Sequence, residues 1–263
     1  MNLIAIDIGN TNINIGLFLD GEEKYIESVS GRAAAKLKKT ITSAWSKIPI
    51  LKTSKEKKRD GVIIVSSVKP KWTQRVKKIA KQQLGENIKL LGKDIPFPIK
   101  LGIKEKNNVG SDRITAAAAA YAVVETAVVI ADFGTAVTID LVDDRGVFAG
   151  GAIFPGFKTA AKALNKNTAA LPNIKQVSKP ELPFGKNTKE AINCGLYYSA
   201  VGALLEITKL YAEKIGTWPK TVITGQAAKV IKSDCNFIDS FVPNLVVKGI
   251  ALAYKKYLEN KKV

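Results

Sequence analysis

An apolar run that ends in Asp-x-Gly and gives way to alternating apolar and polar positions occurs once in each half of this chain. Residues 3–17 read Leu-Ile-Ala-Ile-Asp-Ile-Gly-Asn-Thr-Asn-Ile-Asn-Ile-Gly-Leu, and residues 128–142 read Val-Val-Ile-Ala-Asp-Phe-Gly-Thr-Ala-Val-Thr-Ile-Asp-Leu-Val. The run predicts a buried strand, the glycine a tight turn, and the alternation a returning antiparallel strand. Each copy is therefore expected to be a hairpin with an aspartate at the end of its first strand. Around them the pattern predicts strands at 2–8, 13–19 and 24–30, a helix at 33–48, a lysine-rich loop at 49–60, a strand at 61–67 and a helix from Pro70 to Leu84. An irregular stretch at 86–109, with a short strand near 88–91, leads to an alanine-dominated helix over Ile114–Glu125. The second hairpin follows, then a turn at 143–146, a strand at 147–153 and a helix after Gly156. Next come a proline-punctuated loop at 166–186, a long helix at Thr188–Ile215, a strand at Thr221–Thr224, a short helix at Gln226–Lys232 and a last helix from Val246 to Glu259. Three strands, helix, strand, helix, and the same again: the order reads as a duplicated α/β unit.

The residue types in the hairpins suit phosphate. Phosphate is held by backbone N–H groups, hydroxyls and a cation in a turn that lets the backbone come close. Gly9 and Gly134 permit that approach, and Asn10, Thr11, Asn12 and Thr135 supply uncharged donors. Asp7 and Asp132 carry oxygen ligands for a hard cation such as Mg²⁺. A single Asp-x-Gly is also an ordinary hairpin turn. Two copies in matching strand contexts favour function, with the hairpins expected to face each other across a nucleotide cleft.

Composition narrows the chemistry. The 263 residues include no histidine, so any general base must be a carboxylate, Lys, Tyr or Cys. Lys and Arg outnumber Asp and Glu by 41 to 23, a net charge of +18 that favours anionic partners. The lysines are scattered through Lys36–Lys39, Lys52–Arg59, Lys69–Lys81 and Lys255–Lys262 with no nucleic-acid-binding motif, so nucleic acid is not the expected partner. Cys194 and Cys235 lack metal-ligand spacing; Cys194 is expected in a helix core and no disulfide is expected. No apolar run is long enough to span a bilayer, and the N-terminus enters the Asp7 strand without a signal-peptide pattern, so a cytoplasmic protein is expected.

The two hairpins in a duplicated βββαβα frame resemble the ribonuclease H-like fold of the actin/hexokinase-type ATPases. The ordered set Asp7-Ile-Gly-Asn-Thr-Asn, Gly110-Ser-Asp-Arg113, Asp132-Phe-Gly-Thr-Ala-Val-Thr-Ile-Asp140, Gly150-Gly-Ala-Ile-Phe-Pro-Gly156 and Thr188 is similar to type III pantothenate kinases, and the resemblance runs from Asp7 to Gly249. It implies phosphorylation of pantothenate by ATP, the first step towards coenzyme A, by a homodimer that uses Mg²⁺ and a monovalent cation, K⁺ or NH₄⁺. The halves would be 1–112 and 113–263. Asp7, Ile8, Gly9, Asn10, Thr11, Asn12, Ile13 and Asn14 would form the first phosphate loop. Thr135 would contact ATP phosphate and Asp132 the monovalent cation. Gly110, Ser111, Asp112, Arg113 and Thr188 would hold pantothenate, with Asp112 the general base. Taken alone, Gly110–Arg113 also reads as a helix start with Ser111 as N-cap, and Thr188 as a cap for its own helix. The sequence departs from the family at Ile103, where an aromatic is usual, and at Gln226, where a second glycine follows Thr224-Gly225. A non-catalytic member of the same fold, related to Bvg accessory factor, and a kinase for another small hydroxy-acid or sugar are the alternatives.

Overall fold

The computed structural model describes residues 1–51, 56–105, 108–232 and 235–261. The lysines of the 52–59 loop that fall at 52–55, and the end of the basic tail at 262–263, lie outside the described residues. Two compact units interleave along the chain. The first comprises Met1–Lys100, Glu105–Ala119 and Asn244–Val263, the second Leu101–Lys104 and Ala120–Pro243. This division differs from a single break after residue 112: the C-terminal segment returns to the first unit, and the alanine-rich helix contributes turns to both.

In the first unit, β1 (Leu3–Ile8), β2 (Asn12–Leu19), β3 (Glu22–Ser30), β4 (Val62–Ser67) and β5 (Ile88–Leu90) form a sheet in the order β3-β2-β1-β4-β5. β1 to β3 are antiparallel, while β4 is parallel to β1 and β5 to β4. The two-residue turn from β2 to β3, Asp20-Gly21, has φ of 55° and 86°, the paired left-handed geometry that matches strand twist in a tight hairpin. Helices α1 (Ala34–Ser46) and α2 (Pro70–Ile79) bury Leu37, Ile41, Trp45, Trp72 and Val76 in one cluster with Ile6, Ile8, Ile13 and Ile15 of the sheet. The helix expected to run to Leu84 changes at Ala80 into a wider π-turn that closes on left-handed Gly85.

The second unit repeats the plan. Its strands are β6 (Lys100–Leu101), β7 (Val128–Phe133), β8 (Ala136–Val142), β9 (Val147–Pro155), β10 (Lys220–Thr224) and β11 (Ser240–Phe241), in the order β11-β10-β7-β8-β9-β6. β7 to β9 are antiparallel, with β10 parallel to β7 and β11 to β10. Thus β7-β8-β9-β10-β11 repeats β1-β2-β3-β4-β5, and the duplication read from the sequence is a duplication of topology. Helices α4 (Phe157–Asn167) and α5 (Thr188–Ile215) belong to this unit; α5 is seated on its sheet through Tyr197 and Leu204, which pack with Val129, Phe133, Ile139 and Ile223. The helix expected at Gln226–Lys232 is a single 3₁₀ turn, Ala228–Val230.

Two helices complete the frame: α3 (Ser111–Val124) and α6 (Leu245–Asn260). α6 packs on the first sheet, with Val247 filling the space above Gly16 of β2. Gly249 lies against the Thr115 carbonyl of α3 so closely that a Cβ there would overlap it. Among the described residues no helix is long and apolar enough to cross a membrane. Replacing Gly249 by Val should force α6 away from α3 and cost about 1–3 kcal/mol, read as a fall in thermal midpoint of several degrees; an unchanged midpoint would mean this approach is not a packing constraint.

Candidate active site

In the first unit the end of β1 places Asp7 between Asn14 on β2 and Ser66 on β4. Asp7 is buried, and the Asn14 side-chain amide donates to its Oδ2 at 3.0 Å. Beyond it the chain turns through Gly9, Asn10 and Thr11. The Gly9 N–H donates to the Asn12 carbonyl at 3.1 Å, which closes the loop, and the Gly31 N–H donates to the Thr11 carbonyl at 3.1 Å, which ties it to the end of β3. Asn10 and Thr11 are exposed at the tip; Ile8 and Ile13 are fully buried in the core, so only their backbone could meet a ligand. Parallel strands gather their carboxyl ends at one edge, where α/β folds commonly bind ligands, and β1 and β4 end together here.

Helix α3 begins beside this edge. Ser111 is not its cap, in contrast to the alternative read from sequence. The Gly110 carbonyl accepts from Arg113 and Ile114 at the helix start, and Ser111 is the first helical residue. The Ser111 hydroxyl instead lies 2.9 Å from the Ser66 hydroxyl, accepts the Ser67 N–H at 3.1 Å and donates to the Ser67 carbonyl at 3.3 Å. It clamps the helix start to the end of β4. Asp112, one residue on, is half-buried, and its Oδ1 accepts the Arg113 N–H at 2.9 Å. Burial pushes its carboxyl above the ordinary aspartate range, against the opposing pull of the Arg113 N–H and guanidinium. A Cβ on Gly110 would collide with Asp112 Oδ1, so the glycine makes room for this carboxylate. Ser66 and Ser67 were missed in sequence reasoning; their only signal is a pair of hydroxyls at the end of a β-branched strand.

In the second unit Asp132 holds the position of Asp7, between Thr138 on β8 and Thr224 on β10. The turn Gly134-Thr135 is exposed. Its outer side is held by the start of α4: the Thr135 carbonyl accepts the Gly156 N–H at 3.1 Å and the Thr159 hydroxyl at 2.6 Å. Gly156 is required by proximity, since a Cβ would overlap the Gly134 and Thr135 carbonyls. Gly225 follows β10 with φ of 94°, and a Cβ there would strike Asp132 Oδ1 and the Phe133 backbone. Asp140 is buried beside Gly151 on the neighbouring strand. Thr188 is exposed at the first position of α5. The cap of α5 is Asn187, whose side-chain oxygen accepts the Glu190 N–H at 3.0 Å, while the Glu190 carboxylate accepts the Lys186 N–H at 2.8 Å and the Asn187 side-chain amide at 2.7 Å. The Thr188 hydroxyl is therefore not used as the cap. Ile103 lies near Gly150, and Gln226 is exposed.

Asp7 and Asp132 have the donor chemistry for a hard cation. Among the described residues no cluster of three or more Cys, Asp or Glu stands ready to hold a metal.

Two units of one topology, each with an Asp-Gly hairpin at the carboxyl end of its central strand, define an actin/hexokinase-type ATPase fold. The structure is similar over 99% of its length to MreB5 of Spiroplasma citri bound to ADP, with a TM-score of 0.54 and 13% identity. It is also similar over 100% of both chains to a Campylobacter jejuni protein described as a Baf-family transcriptional activator, with a TM-score of 0.60 and 20% identity. The profile of type III pantothenate kinases matches residues 3–210, and the chain belongs to that family. It is 32% identical over 263 residues to the type III pantothenate kinase of Agathobacter rectalis, covering 99% of this chain and 98% of that one. It is 31% identical over 257 residues to that of Dehalococcoides mccartyi, covering 96% and 97%.

The two glycines beside Asp132 should separate by their backbone demands. Gly225→Ala should destabilise by about 1–3 kcal/mol, since a Cβ at positive φ is strained and meets Asp132. Gly134→Ala, whose Cβ would find only ordinary contacts 3.5 Å away, should leave unfolding in urea nearly unchanged. Equal midpoints for the two variants would contradict this geometry.

Proposed function

We propose that this chain transfers the γ-phosphoryl group of ATP to the primary hydroxyl of pantothenate, the first step of coenzyme A synthesis. The observation that carries the reading is the family match, which spans both hairpins and the Gly110–Arg113 turn. In the reaction the pantothenate hydroxyl oxygen forms a bond to the γ-phosphorus, the bond to the β-phosphate oxygen breaks, ADP leaves, and Asp112 takes the hydroxyl proton. Asp112 Oδ1 is engaged by the Arg113 N–H, so Oδ2 is assigned as the receiving atom. Phosphoryl transfer needs positioning and charge neutralisation more than covalent help, so one carboxylate at the hydroxyl suffices.

The remaining assignments follow the same reading. Gly110, Ser111 and Arg113 bind pantothenate, the guanidinium of Arg113 taking its carboxylate, and Thr188 is assigned to pantothenate as well. The backbone and side chains from Asp7 to Asn14 bind phosphate, as does Thr135. Asp7 would hold Mg²⁺, directly or through water, and Asp132 the monovalent cation; these ions would neutralise charge on the phosphate oxygens. A homodimer is supported by α5, where Gly195 and Gly202 have open space above them and Tyr198 and Leu205 are exposed on the same face. A cytoplasmic setting is supported by Cys194 and Cys235, which are both buried and are not joined by a disulfide.

ADP release with ATP and Mg²⁺ should depend on pantothenate and increase with K⁺. The Asp112→Asn variant should lose at least about a hundredfold in turnover, the usual worth of a general base. Absence of pantothenate-dependent turnover in the unaltered protein, with ATP still bound, would overturn the substrate.

The pH dependence has a definite sign. Asp112 must be ionised to accept a proton, and burial raises its pKa. The acid limb of activity should therefore lie above the ordinary carboxylate range. The folded state binds this proton more tightly than the unfolded chain, so the ionised carboxylate costs stability as pH rises through the folded pKa. Asp112→Asn should accordingly melt higher than the unaltered protein at neutral pH, with the gap closing on acidification; a lower midpoint at neutral pH would show that Asp112 is a structural anchor.

A further inference from the structure

The ammonium of Lys69 is fixed at the tip of the first hairpin. Lys69 precedes Pro70 and is the residue just before α2, with φ −133° and ψ 89°, outside the helical region that a following proline disfavours. Its N–H donates to the Ser67 hydroxyl at 3.1 Å, which holds the backbone at the end of β4. Its side chain crosses to the hairpin, where Nζ donates to the Asn10 carbonyl at 3.0 Å. The same ammonium sits 3.8 Å from the centre of the Trp72 ring.

The platform beneath it is rigid. Trp72 is buried, its ring occupies the place where Gly31 would carry a Cβ, and the Gly31 N–H is bonded to the Thr11 carbonyl. Lys69, Trp72, Gly31 and the loop tip are thus joined in one ring of contacts within the first unit.

The electrostatics of this ring are incomplete. No carboxylate among the described residues pairs with Lys69. An ammonium has three N–H donors; the Asn10 carbonyl takes one and the indole face satisfies part of the charge, leaving donor capacity towards solvent at the exposed Asn10. A half-buried, conformationally fixed cation without a counterion beside a turn built for phosphate fits an anionic oxygen of the ligand.

We infer that Lys69 is a phosphate-binding residue for the nucleotide, donating from Nζ to a phosphate oxygen held at the Gly9–Thr11 turn. This rests on the assignment of that turn as a phosphate loop. It adds a named positive charge to a loop whose own side chains are uncharged apart from Asp7.

The test compares the unaltered protein with Lys69→Met and Lys69→Arg, measuring Mg²⁺–ATP affinity by calorimetry, KM for pantothenate, and the thermal midpoint without nucleotide. Loss of one charge-assisted hydrogen bond should weaken ATP binding about ten- to a hundredfold in Lys69→Met. KM for pantothenate and the midpoint should stay close to their original values, and Lys69→Arg should recover most of the affinity. Unaltered ATP affinity in Lys69→Met overturns the inference. So does a lowered midpoint with ATP affinity and pantothenate KM impaired together, which would make Lys69 a brace for the loop. If the unaltered protein binds no ATP at all, the phosphate-loop assignment fails and this inference with it.

Discussion

The structure depends on one arrangement made twice: a central strand that pairs antiparallel on one side and parallel on the other, ending in an aspartate. β1 lies between β2 and β4, β7 between β8 and β10. The antiparallel neighbour begins at the hairpin, so its first residues stand beside the aspartate. The parallel neighbour ends at the same level and delivers its own last residues there. Asp7 is thereby set between Asn14 and Ser66, and Asp132 between Thr138 and Thr224. Neither aspartate could be so placed in a purely antiparallel sheet without a further chain crossing, because the switch of direction is what gathers strand ends at one edge. The glycines follow from this crowding. Gly225 leaves β10 at positive φ because any side chain would meet Asp132, and Gly156 abuts the second turn because α4 must start against it.

Asp112 shows what this edge does to a carboxylate. It is placed in the first turn of α3, where the helix favours a negative charge, yet burial still raises its pKa. Burial therefore outweighs the local hydrogen bond and the neighbouring guanidinium. A protein selected for stability alone would avoid such a residue, since an ionised, half-buried carboxylate is a cost. The same elevated basicity is what a proton acceptor for an alcohol requires. The helix start that carries it is held from the other side by Ser111, which gives its hydroxyl to β4 rather than to its own helix. Positioning and capping compete for one hydroxyl, and positioning wins.

That competition also marks where the sequence was legible. Asp7 and Asp132 could be found because their signal is local: an apolar run, a turn residue and an alternation, all within one hairpin. Ser111 was readable as a member of its motif but not in its contacts, since Ser66 is 45 residues away and nothing in a serine pair announces a long-range bond. Asn187 was overlooked in favour of Thr188 because both are capping types; the reciprocal Glu190 three residues later is the feature that distinguishes them. β6 and β11 are two residues long and lack any periodicity to detect; they exist only because β9 and β10 offer open edges. The interleaving of the units was hidden for a similar reason. The apolar pattern of α6 says that it is buried, but not on which sheet, and the choice is made by Gly16 and Gly249, whose missing side chains admit it to the first unit.

A net charge of +18 works against compaction through self-repulsion. The ion pairs that are formed, such as Lys24 with Glu22 and Lys220 with Asp239, join well-exposed side chains, and pairs of that kind contribute little. The lysines therefore do not hold the fold together; the two apolar clusters do. What the excess does supply is a field that raises the local concentration of anions, and both compounds of the proposed reaction are anionic, a nucleoside triphosphate and a carboxylate. Most of this field is diffuse and would be screened by salt within about 10 Å. Where a cation is instead fixed by the fold, as the ammonium held between the Trp72 ring and the Asn10 carbonyl is, long-range attraction is converted into a directed contact at the turn where phosphate is expected.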